Sequence, residues 1–164
     1  MVSAAIALLG AFIYGAADFF GGLAARRLRS IVVTATAALS GLVVLFILIP
    51  LLGARWNIED VAWGALSGVF GVTAIALLYA CLAIGPMSIL SPVTAVTSAI
   101  APMIWGLTIG GESLTVTGYL GLGVALIAVV LVGFIPGQGA VRPSARGLVM
   151  AIGSGLAIGA FLIT

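Results

Sequence analysis

From Val61 to Gly111 the chain runs 51 residues without a charged side chain. One helix of that length would be about 75 Å long, against a bilayer hydrocarbon core of about 30 Å. The run must turn once, and Gly85-Pro86 is the place, because glycine tolerates unusual dihedrals and proline opens a following helix well. Two spans result, at about 61–83 and 87–108. The second holds Pro92 and Pro102, each of which removes a backbone donor from a membrane helix. That loss is tolerated where neighbouring helices or a wet cavity satisfy the freed carbonyls. Ser88, Ser91, Ala95, Ser98, Pro102 and Gly106 recur at steps of three or four and make one small, partly polar face. The bulky residues, among them Ile89, Val93, Val96 and Ile100, make the opposite one. The small face is expected to pack inward and the bulky face to meet lipid.

The other uncharged runs have the length of single spans. Met1 to Ala17 continues as apolar sequence through Gly22, Ile31 to Ala54 is 24 residues, and Ser113 to Val141 is 29. They predict spans at about 2–23, 31–52 and 115–135, a turn-rich linker at 136–146, and a sixth span begun at 147–164, within which the chain stops. Trp56 and Trp63 fall where amphipathic rings anchor at headgroups. With 63% apolar and 6% charged residues there is too little polar surface to solvate a globule. The fold class is an all-α integral membrane protein, a multi-span helical bundle.

Several chemistries are excluded within one chain. There is no His, no Lys and a single Cys, Cys81, so neither a disulfide nor a His/Cys metal site can form, and a triad with a His base is impossible. No glycine-lysine phosphate loop is present, so ATP is not used in the usual way. The small positive charge lacks the cluster that nucleic acid requires. No cofactor or metal is expected, and no enzymatic activity, since no nucleophile has a base beside it.

Two acids stand near the bilayer. Asp18 shares a helical face with Gly10 and Tyr14, which favours a place in a substrate path; the alternative is an interfacial residue paired with Arg26. Glu112 follows Gly110-Gly111 in a tight turn, where it is expected to cap the fifth span at the positive end of the helix. Asp18 is therefore expected to matter more to activity. The loops after spans one and five carry five Arg and the loop after span two carries one, so the positive-inside rule puts the Arg-rich loops in the cytoplasm and the N-terminus outside.

Tyr14-Gly15-Ala16-Ala17-Asp18-Phe19, Gly85-Pro86-Met87-Ser88, Ser91-Pro92-Val93-Thr94, and Gly111-Glu112 followed by Gly118 and Gly121 resemble, in order and spacing, one repeat of the EamA family in the drug/metabolite transporter superfamily. The resemblance covers residues 1–135. It implies an EamA-type five-helix repeat, normally one of two, with a substrate cavity between halves of opposite orientation. It also implies an N-terminus inside, against the charge count. A shift of 144 residues matches Ala7 to Ala151, Gly15 to Gly159 and Ala16 to Ala160, as the start of a second repeat would. The chain is thus expected to be part of a ten-span transporter and not to transport alone.

The expected function is secondary transport of a small metabolite or drug by alternating access, in the plasma (inner) membrane of a prokaryote. Tyr14, Asp18, Ser91, Pro92, Thr94, Ser98 and Trp105 are the substrate-path candidates, and Gly111 and Glu112 the structural cap. The expected partners are a small-molecule substrate, the lipid bilayer, and a second repeat or another copy of the chain. The alternative is a non-transporting membrane subunit that packs through its glycine stripes. A wet cavity containing Pro92 and its polar neighbours would favour transport, and burial of those positions would favour packing.

Overall fold

The computed structural model of the protein describes residues 2–53, 57–133 and 143–164. All regular structure among them is helical: α1 Val2–Ala25, α2 Ser30–Leu52, α3 Ile58–Ile84, α4 Met87–Thr108, α5 Val116–Gly133 and α6 Ala145–Ile163. Helices α1 to α4 and α6 are long and apolar enough to cross a membrane, and α5 is apolar over Val116–Leu131. Arg55, Trp56 and residues 136–142 of the expected linker lie outside the described residues.

Capping explains where the helices start. The third helix begins at Ile58 because the Asn57 side chain accepts from the Glu59 amide at 3.3 Å, and Glu59 and Asp60 then sit favourably in a positively polarised first turn. These two acids are helical, although their charge reads as a loop. Likewise α6 begins at Ala145, with Ser144 Oγ accepting from the Gly147 amide at 3.1 Å. The Gly85-Pro86 turn separates α3 from α4, and the amides of Ile89 and Leu90 both donate to the Pro86 carbonyl. At the other end of α4, Gly111 adopts φ +64, and the Glu112 amide reaches back 2.9 Å to the Gly106 carbonyl. The Gly110 amide also reaches the Trp105 carbonyl at 2.9 Å, so the chain reverses over Gly110-Gly111, and glycine takes the left-handed conformation at 111 without a Cβ penalty.

The packing centres on α6, which lies between α3 and α4 while those two touch each other little. Against α4 it runs parallel and in register: Gly147 meets Leu90, Ala151 meets Thr94, Gly155 meets Thr97 and Ser98, and Gly159 meets Ala101 and Pro102. Four small residues at four-residue spacing make a flat face, so the two backbones approach closely. Against α3 it runs antiparallel, with Ser154 on Ala74, Gly153 on Leu77 and Phe161 on Gly71. Helix α1 packs on α2 and α3, and α5 on α4.

Apart from Asp18, the described charges segregate to the two ends of the bundle. Arg26, Arg27, Arg29 and Arg146 lie where α1 and α3 end and where α4 and α6 begin; Glu59, Asp60 and Glu112 lie at the opposite end. The buried core, including Tyr79, Leu82, Leu90 and Ala151, occupies the Arg end. Toward the acidic end α1 and the first half of α3 have open surroundings, where a side chain at Gly10, Gly15, Gly64 or Gly68 would meet nothing within 4 Å, while α6 stays close to α4 at Gly159 and to α3 at Phe161.

One expectation about α4 is met only in part, for on the small face Gly106 is buried and Ser98 and Pro102 are half-buried. Ser91 and Ala95 on the small face are exposed, whereas Ile89, Val93 and Val96 are half-buried and line a groove with Val130 of α5 and Ile152 of α6. Bulky apolar side chains in a membrane are satisfied equally by lipid tails and by a neighbouring helix, so their size does not tell which they face.

Candidate functional site

A partly open cavity of about 460 Å³ lies among α1, α3, α4 and α6. Its floor is Ala74, Leu78 and Thr94, all buried, and its rim includes the exposed Tyr14 and Ser91. Between them lie half-buried Asp18 and Ser98. Five of the residues expected in a substrate path thus line one cavity, although they come from two helices 73 residues apart at Asp18 and Ser91.

The helices place these groups by simple periodicity. Tyr14 and Asp18 are one turn apart on α1, and Ser91, Thr94 and Ser98 follow one face of α4. Asp18 sits seven residues before the end of α1, roughly 10 Å inside the bundle from the Arg end. It does not have Arg26 as its partner. The Arg26 guanidinium instead donates from Nε to the Leu82 carbonyl at 3.3 Å and from Nη2 to the Gly85 carbonyl at 3.1 Å, closing the C-terminal end of α3. A cation there also complements the negative end of the helix.

The hydroxyls differ in what they can offer a ligand. Thr94 Oγ1 shares its proton between the Leu90 carbonyl at 3.0 Å and the Ala151 carbonyl of α6 at 3.2 Å. Ser98 Oγ donates to the Ala95 carbonyl at 2.9 Å. Both protons are committed to the backbone, so these oxygens present lone pairs. With the Asp18 carboxylate they make a site rich in acceptors and walled by apolar carbon.

Two expected path residues lie elsewhere. Pro92 lines the separate groove with Val93 and Val96, and Trp105, 46% exposed, is on the outside of the bundle. The cavity therefore contains the polar neighbours of Pro92 but not the proline. Glu112 folds back over Gly106, where a Cβ would stand 2.7 Å from Glu112 Oε2, and the first turn of α5 is capped by Thr115, whose Oγ1 accepts from the Gly118 amide at 3.3 Å. Ile158 and Phe161 of α6 also line the cavity. The repeat offset carries a signal for Ile158, which it aligns with Tyr14, but none for Phe161, which it aligns with Ala17.

Comparison with known proteins gives one match: the model of the EamA-like transporter family covers residues 1–134. No curated protein and no solved structure matches the chain.

Proposed function

Because the chain belongs to the EamA-like transporter family and is a multi-pass membrane protein of transporter type, we propose that it contributes the cavity just described to a secondary transporter that works by alternating access. The observation that carries this reading is the convergence of Tyr14, Asp18, Ser91, Thr94 and Ser98 on one cavity. A single carboxylate, the committed protons of Thr94 and Ser98, and apolar walls favour a small amphipathic cation or a neutral donor over an anion. The dense core at the Arg end and the open surroundings of α1 and the first half of α3 at the acidic end correspond to access from the acidic side. With the Arg end in the cytoplasm of a prokaryotic cell, that side is external. A second half, from a further repeat or another copy, would close the rim at Tyr14 and Ser91.

The test is binding and flux of a hydrophobic quaternary ammonium probe in reconstituted membranes, comparing Asp18→Asn with Glu112→Gln. Loss of binding in the first and retention in the second is expected. Retention in Asp18→Asn with loss in Glu112→Gln would overturn the assignment.

A further inference from the structure

Phe161 lies two residues before the end of α6. Its ring lies across α3 at Gly71, where a Cβ would stand 3.2 and 3.4 Å from two ring carbons. Both residues line the cavity, and both belong to its acidic end: Gly71 is thirteen residues before the end of α3, roughly 20 Å from the Arg end. Asp18 lies roughly 10 Å closer to that end. A ligand moving between the acidic side and Asp18 along the α3/α6 wall must therefore pass the ring. Beyond this level nothing stands within 4 Å of the Cβ positions of Gly68 and Gly64, the next small residues toward the acidic end of α3.

We propose that Phe161, seated on the bare backbone of Gly71, is the gate of the cavity on its acidic side. Glycine makes the seat, because a Cβ at 71 would stand tighter against the ring than ordinary van der Waals contact and the ring would have to shift. At 44% exposure the ring is only partly held by protein, so it can swing clear without unpacking α6, whose attachment rests on the buried face from Gly147 to Gly159. The gate rests on the cavity as a path, but not on the identity of the substrate.

The experiment uses a reporter thiol at Ala95→Cys in the cavity, labelled by a membrane-impermeant maleimide from either side of sealed vesicles. Native Cys81, fully buried, sets the background. Phe161→Ala is expected to raise the labelling rate from the acidic side severalfold and to leave labelling from the Arg side unchanged. Gly71→Ala, which unseats the ring without removing it, should raise the same rate by a smaller factor, and Phe161→Leu should fall between wild type and Phe161→Ala. An unchanged rate in Phe161→Ala would overturn the gate. An equal increase from both sides would also overturn it, because that result reports a loosened bundle. Failure of probe binding at Asp18 with gating intact would count against the proposed function alone.

Discussion

Ser154 Oγ of α6 donates 2.8 Å to the carbonyl of Ala74 on α3, across 80 residues of sequence and with Ser154 wholly buried. The bond joins the two helices at the cavity floor, since Ala74 is part of that floor. Ser154→Ala should lower stability by about 1 kcal/mol, the usual range for a hydroxyl between membrane helices. Unfolding in detergent micelles, followed by circular dichroism, measures it, and an unchanged midpoint would show that the bond adds nothing net.

The face of α6 toward α4 should tolerate no enlargement. A Cβ at Gly155 would stand 2.5 Å from Thr97 Cβ and 2.7 Å from the Thr94 carbonyl oxygen, so Gly155→Ala must push the helices apart, at a cost of about 1–3 kcal/mol. Gly153 provides the control, because its nearest neighbour is the flexible end of Leu77 at 3.4 Å. Gly153→Ala should leave the thermal midpoint close to that of wild type.

Arg26→Gln should remove the closure of α3 and cost about 1 kcal/mol, given a guanidinium partly exposed to water. Arg26→Lys should recover only part of this, since an ammonium lacks the planar fork that meets the two carbonyls together. Hydrogen exchange at the amides of Cys81 to Gly85 is the local readout.

Charge segregation predicts a single orientation. With Leu28→Cys at the Arg end and Ser113→Cys at the acidic end, an impermeant thiol reagent should label the two from opposite sides, the Leu28 position from the cytoplasm. Labelling of both positions from both sides would show dual insertion.

Much of the helical layout follows from run lengths and from two-residue signals. The Gly85-Pro86 turn is readable because no single helix can hold the uncharged run, and the Gly110-Gly111 stop because a left-handed residue needs glycine. Asp18, Tyr14, Ser91, Thr94 and Ser98 can be grouped as lining one cavity because periodicity sets their faces. Partner choice is less legible. Nothing local says that α6 sits between α3 and α4, since its glycines advertise close packing without naming the helix they meet. The placement of Pro92 in the groove and not the cavity follows from that same choice, as does the outward position of Trp105. The expected cap at Glu112 fails for a subtler reason: the left-handed turn at Gly111 carries the next residue back toward α4, leaving Thr115 at the start of α5.

The wedged position of α6 has a consequence for biogenesis. The partner surfaces on α3 and α4 are complete when Thr108 has been made, but α6 ends at Ile163, 55 residues later. At the usual 5–20 residues per second of synthesis, that interval is about 3–11 s. During it the Ala74 carbonyl still lacks the Ser154 proton, and Thr94 lacks its acceptor on Ala151. The nascent hairpin of α3 and α4 must wait at the insertion machinery with a slot between its arms, and a ribosome stalled before residue 145 would leave it there, a substrate for quality-control proteolysis.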